Sequence, residues 1–371
     1  MRARLVRLGQ LVAALLAILV AALVAQLVWV VVVCQPFATM APTTDRAPSL
    51  LAAAGYPDAV RAPDQSYLTL PEWYIVYSSE EYAAFIQTQP PSQFPYFAAI
   101  GQYWRSYRDV CGVTRGRYPF NTLYHFTLFV IGPSFTVENA VRGLYETTIG
   151  RVAEWSSGGD PTAEELLARS VALDYGNFLH TIPWFEYPFA DRLHELWTTT
   201  GMWGPNPIRK WERKWALSLE YGVKALYGYL IRGGAGVTYA PEKLEILAVV
   251  KGVSDEMAAR DDDLRIVQSL DEERVLIALP RYEPFTQLVP VLVAEGVRFV
   301  EIAGNDMIML TALAPHDWAY DLPAGELLFA MPILTEPGQQ RVAINAPVAS
   351  LHLILAGLAE RGVTLEHLYD Y

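Results

Sequence analysis

The residues best suited to chemistry lie between Leu179 and Trp197, where His180, Glu186, Asp191, His194 and Glu195 fall within a short stretch. Trp184, Phe185, Tyr187 and Phe189 are interleaved with them. Asp191, His194 and Glu195 are spaced i, i+3, i+4 and so share one helix face. His180 precedes the break expected at Pro183. If the flanking helices fold back on each other, these side chains would make a general acid–base pair or a metal site. Solvated carboxylates, and a histidine placed at a helix C-terminus, account for them more simply. A zincin site is ruled out by position 198, which is Thr, because both His of that motif must share one helix face.

Other catalytic signatures are missing. The chain has no Gly-x-Ser-x-Gly elbow and no phosphate loop. Its only cysteines are Cys34 and Cys111, too few for a disulfide framework or a cysteine-rich metal centre, though the two could pair. No cofactor is indicated. Glu138, Glu146 and Glu154 recur with Arg142 and Arg151, a pattern that suits ion-pair scaffolding better than a proton site. Asp261-Asp262-Asp263 lacks the spacing of a calcium loop.

A second cluster is Arg209, Lys210, Trp211, Arg213, Lys214 and Trp215. Basic residues interleaved with Trp suit contact with anionic lipid head groups, and Trp29 is placed for the interface at the far end of the N-terminal apolar run. A net charge of −12 argues against nucleic acid as a partner.

The elements that must hold these residues follow from composition. Leu11–Val33 has one polar side chain, Gln26, and is long enough to span a bilayer at about 1.5 Å per residue. Arg2, Arg4 and Arg7 precede it, so residues 1–34 are expected to form a transmembrane helix with a cytoplasmic N-terminus. The protein would then sit in the plasma (inner) membrane with its body extracytoplasmic. Residues 35–65, with five prolines, read as a stalk.

Residues 66–236 read as an aromatic-rich helical unit. Capping boxes are expected at Thr69–Glu72 and Ser78–Glu81, and a helix from Ser92 to Cys111. A long helix over 120–155 would kink at Pro133, and another would begin with Pro161 as its first residue. Helices over 189–199 and 207–231 follow, and Gly233–Gly236 reads as a flexible joint. Charges within 138–151 and at Glu220 and Lys224 favour buried or interfacial helices over further membrane crossings.

Residues 237–371 carry most of the acidity and contain a repeat. Arg274–Pro280, a helix and Gly296-Val297 are matched by Arg341–Pro347, a helix and Gly362-Val363. Two βαβ units joined by hairpins predict a duplicated ferredoxin-like sandwich. The expected class is therefore α+β. The expected role is a membrane-anchored envelope protein that binds an apolar ligand or a membrane protein partner. The alternative is a membrane-associated enzyme using a His/carboxylate or metal site on a lipid-like substrate.

Overall fold

The computed structural model describes residues 21, 24–26, 28–30, 32–34, 48–157, 160–238 and 245–371, without the side chains of 234–238. Most of the expected membrane span, and residues 35–47 of the stalk, lie outside the described residues. Among the described residues, no helix is long and apolar enough to cross a membrane. The described positions between 21 and 34 are helical.

The chain is α+β. Its helical layer comprises α1 (Leu50–Ala53), α2 (Gln65–Leu68), α3 (Leu70–Thr88), α4 (Tyr96–Thr114), α5 (Thr122–Tyr145), α6 (Arg151–Trp155), α7 (Ala163–Leu179), α8 (Phe189–Thr199) and α9 (Pro207–Thr238). Then come β1 (Glu245–Lys251), α10 (Asp255–Arg260), β2 (Arg265–Ser269), β3 (Arg274–Pro280), α11 (Glu283–Ala294) and β4 (Arg298–Ile302). The last part is β5 (Met307–Pro315), β6 (Glu326–Pro332), β7 (Gln339–Pro347), α12 (Leu351–Glu360) and β8 (Thr364–Leu368).

Several local expectations change. The helix expected to begin with Pro161 begins two residues later, at Ala163: Thr162 is the N-cap of α7, in a capping box with Glu165. Thr69 caps nothing, because its hydroxyl donates to the Gln65 carbonyl, and Ser78–Glu81 lies inside α3. Pro133 is accommodated within α5. Gly233–Gly236 is not a joint, since α9 runs through it. Between α5 and α6 the chain makes a π turn, Glu146–Gly150.

The helices alternate in direction, and paired side chains record it. Glu138, Arg142 and Glu146 of the α5 region face Lys224, Glu220 and Arg213 of α9, so the two run antiparallel. Gly132 and Gly143 let α5 close on α4: a Cβ at Gly132 would lie 2.6 Å from the Trp104 ring, and one at Gly143 2.8 Å from Tyr96. The N-terminal helix runs parallel to α4. Trp29 packs edge-on against Trp104 and Tyr107 with centroids 5.7 and 5.8 Å apart, and further along Cys34 reaches Cys111.

The strands form two four-stranded antiparallel sheets of the same order, β2-β3-β1-β4 and β6-β7-β5-β8. The repeat is thus larger than β3–β4 against β7–β8. In each copy the strand that opens it, β1 or β5, lies between the two strands of the βαβ unit. Of the hairpins expected to join the units, the one whose turn would be Gly304-Asn305-Asp306 is absent, because these residues carry the chain from β4 in one sheet to β5 in the other. A hairpin does join β6 to β7.

One face of both sheets shares a core with α11 and α12, built from Ile246, Ile277, Phe299, Leu310, Ile344 and Leu358 among others. The opposite face of the first sheet is covered by residues 49–60. Leu51 meets Val249 and Leu276, and the Glu301 carboxylate accepts from Ser49 Oγ and the amides of Leu50 and Leu51 at 2.8–2.9 Å. This end of the expected stalk is therefore packed, not free. The opposite face of the second sheet is covered by α2–α3, through Tyr67, Leu70, Trp73 and Tyr77 against Met309, Ala343 and Tyr369.

Candidate functional site

The junction between α3, α7 and the second sheet gathers a set of titratable groups around His180. Trp73, Tyr77, Glu80 and Glu81 are spaced so that α3 turns them to one side. His180 is the C-cap of α7. Glu283 stands in the first turn of α11, and His367 near the end of β8.

His180 Nε2 is hydrogen-bonded to Glu80, and its Nδ1 lies 3.4 Å from Glu283 Oε2. His367 Nδ1 lies 3.0 Å from Thr286 Oγ1 and 3.8 Å from Glu283 Oε2. Its ring lies over Trp73 with centroids 3.6 Å apart.

These contacts set the charges. Hydrogen bonds to Glu283 and then Glu80 push the His180 imidazolium up to about 10, against opposing desolvation. Its bond to His180, then to His367, holds the Glu283 carboxyl well below the usual carboxylate range. Burial pulls His367 down, so it stays neutral. With both ring nitrogens occupied by carboxylates, His180 has no free lone pair for base or metal-ligand chemistry at neutral pH. It acts as a charged pin between the helical layer and the sheets.

A raised folded-state value means that the pin's stabilisation is complete below about pH 6.5, the ordinary histidine value, and is lost toward pH 10. The depressed Glu283 loses its share as pH falls below its ordinary carboxylate range. The wild type should therefore melt at steadily lower temperature as pH rises from neutral to 10, and His180→Gln should remove most of that slope. Parallel slopes in the two proteins would dismiss the pin.

Beside it, Arg341 is buried between Glu366 at 2.6 Å and Glu81 at 3.3 Å, over the Tyr77 ring at 4.0 Å. Tyr77 and Tyr369 join their hydroxyls at 2.9 Å. All these groups lock α3 onto the second sheet.

The remaining candidates do not converge on His180. Glu186 lies 3.8 Å from Arg232. Glu195 pairs with Arg192 at 2.9 Å. Asp191 and His194 are exposed on the outer face of α8.

The basic cluster points inward. Arg209, Lys210, Arg213 and Lys214 are 1%, 4%, 3% and 1% exposed. Arg209 binds Glu165 and the Gly150 carbonyl, and Lys210 binds Glu164 at 2.6 Å. Arg213 makes two bonds to Glu146, at 2.8 and 3.1 Å, and also meets Glu212. Lys214 donates to the Thr200 carbonyl at 2.6 Å. None of the four is presented to a head group. Each is balanced by a carboxylate or carbonyl because a buried charge without a partner is too costly to keep. Trp215 alone of this cluster is exposed, at 58%, Trp211 is half-buried, and Trp29 packs on α4.

Higher along the same helices, Glu138 meets Lys224 at 2.7 Å and Arg142 meets Glu220 at 3.4 Å. Arg142 thus pairs across to α9 and not with Glu138 on its own helix. These groups line a cavity of about 80 Å³ with Tyr82 and Tyr175.

Cys34 and Cys111 form a disulfide with Cα atoms 4.7 Å apart. A His125 ring nitrogen and both sulfurs lie within 4.8 Å of one another, the one such grouping among the described residues. Because the sulfurs are bonded to each other, no thiolate remains to bind a metal. His125 is held by Tyr107 Oη at 2.8 Å from Nδ1 and by stacking on Phe120.

Sequence reasoning found His180 but missed Glu80, Glu283, His367 and Trp73, which are distant from it along the chain. One signal was available. In the repeat, His367 occupies the place of Glu301, the residue that fastens α1 to the first sheet, as the pairings Val249↔Glu301 and Thr311↔His367 record. No known protein family, curated protein or solved structure matches this chain.

Proposed function

We propose that this is a membrane-anchored cell-envelope protein with a binding role, its N-terminus cytoplasmic and its α+β body extracytoplasmic. The observation that carries the reading is the Cys34–Cys111 disulfide, which ties the end of the apolar N-terminal run to the body. Structural disulfides persist in oxidising compartments outside the cytosol. The three N-terminal arginines favour the same orientation.

The strand order, repeated in both sheets, supports reading the C-terminal part as a duplicated ferredoxin-like unit. Such folds serve many functions, so the role is argued from surface and charge. Residues 238–371 carry 21 acidic against nine basic side chains. That charge suits a partner with a basic surface, and a membrane protein is the partner this geometry favours.

Thiol trapping in intact cells tests the reading. Quenching with acid and adding a polymer-tagged maleimide should label no cysteine until reductant is supplied, then two. A phosphatase fused after Tyr371, of the kind active only outside the cytoplasm, should be active. Free thiols in fresh cells, or an inactive fusion, would refute the placement.

A further inference from the structure

The outward faces of α5 and α9 carry almost no charge. Every exposed side chain of α9 between Ile208 and Leu230 is apolar or aromatic. Ile208, Trp215, Leu219, Val223, Leu226 and Leu230 fall within about 80° of the helix circumference at ~100° per residue. On α5, Leu123, Phe126, Val130, Val137, Val141 and Leu144 fall within about 60° by the same measure.

The π turn extends that stripe. In an unbroken α-helix, Ile149 would point about 140° away from Leu144. The turn at Glu146–Gly150 absorbs an extra residue, and Ile149 and Val152 stay outward at 57% and 62% exposure. The one exposed charge between Leu123 and Ile149 is Glu138, and Lys224 binds it at 2.7 Å.

Between Ile208 and Leu230 on α9, and on α5 apart from Glu138, the charged residues instead turn inward and pair between the two helices or with α7. Soluble helices have the reverse arrangement, with the apolar stripe inward. Two antiparallel helices bridged by these ion pairs, each exposing a stripe about 33 Å long, present several hundred Å² of apolar surface. This exceeds what monomeric soluble proteins usually leave open.

We infer that this face lies against lipid acyl chains, so that the helical layer is set into the bilayer on one side and does not hang from a free tether. The inference rests on the membrane-anchored reading and refines it: the two sheets stay extracytoplasmic, while the face of α5 and α9 enters the membrane. Three observations favour lipid over a second protein. The N-terminal helix runs beside α4 and continues the band, with Val24, Val28 and Val32 exposed at 54%, 55% and 53%. The stripe on α9 matches the ~30 Å hydrocarbon thickness. Exposed aromatics stand near its ends, Trp155 and Trp203 at one and Tyr227 and Tyr229 at the other, as at a membrane interface. The band is one-sided: it stops at the polar outer face of α8, with Asp191 and His194, and at Arg105 and Arg108 of α4.

Nitroxide labels on cysteines introduced singly at Val141, Leu219 and Leu226 test this in the full chain, with the native disulfide intact. The protein would be reconstituted in vesicles of phosphatidylethanolamine and phosphatidylglycerol. Collision with oxygen should exceed collision with a water-soluble nickel chelate severalfold at all three sites. A label at the exposed Asp262 should show the opposite ratio. Frequent nickel collision at the three sites would place the face in water and overturn the inference. Rare collision with both probes would mean that protein covers it, overturning it equally. Either failure leaves the thiol-trapping and fusion results standing, so the two proposals fail separately.

Discussion

Replacing Cys34 and Cys111 together with serine is expected to lower the unfolding free energy by about 4 kcal/mol, from the chain-entropy dependence on loop length. The bridge closes a loop between positions 77 residues apart. It is also buried, among Val30, Tyr107 and Val110, so the variant places two hydroxyls where sulfur packs against apolar groups. The effect should concentrate at the N-terminal helix, whose other fastenings among the described residues include Trp29 against Trp104 and Tyr107 and the bond from Arg115 to the Val33 carbonyl. Melting in mild detergent, with and without reductant, reads the outcome. The reduced wild type should approach the serine variant. If the oxidised wild type and the variant melt together, the bond contributes nothing and the helix is held by packing alone.

The second large effect is expected at Arg213. Truncation by Arg213→Ala would leave Glu146 buried without its two hydrogen bonds and should cost about 3–5 kcal/mol, the usual loss when one member of a buried pair is removed. The pair itself is not a large net source of stability, since taking both charges out of water offsets much of their attraction. The double variant Glu146→Met, Arg213→Met should therefore recover most of the loss. Glu212 would keep Arg209 at 3.0 Å and the Tyr145 hydroxyl at 2.7 Å. A double variant as unstable as Arg213→Ala would mean that the charges are needed for more than mutual neutralisation.

The same pair shows what a linear reading can reach. The repeat was visible because strand runs, helices and glycine stops recur in order at β3–α11–β4 and β7–α12–β8. The helical texture of residues 66–231 was visible in the same way. What stayed hidden was the company each residue keeps. Nothing near Arg213 in sequence distinguishes an outward lipid-facing cation from one buried against Glu146. Local pattern names a helix face, but only the fold decides whether that face meets water, lipid or another helix. The placement of β1 and β5 inside their sheets was hidden for a similar reason. Pairing order depends on closure between distant segments, to which a period-two pattern is blind. His367 and Glu283 belong to the same class, joined to His180 only by tertiary contact.

The packing of residues 49–60 and 66–77 over the outer faces of the two sheets also has a consequence for biogenesis. These coverings leave the ribosome first and the surfaces they cover leave last. At synthesis rates of about 5–20 residues per second, the delay is on the order of 15–60 s. During that time Leu51, Leu70 and Trp73 must stay soluble or shielded without their final partners. A nascent chain halted before β5 would have no second sheet to receive α3. Premature termination should therefore be harmful even where it spares every helix, and the membrane-proximal segments should depend on chaperones until the last strand arrives.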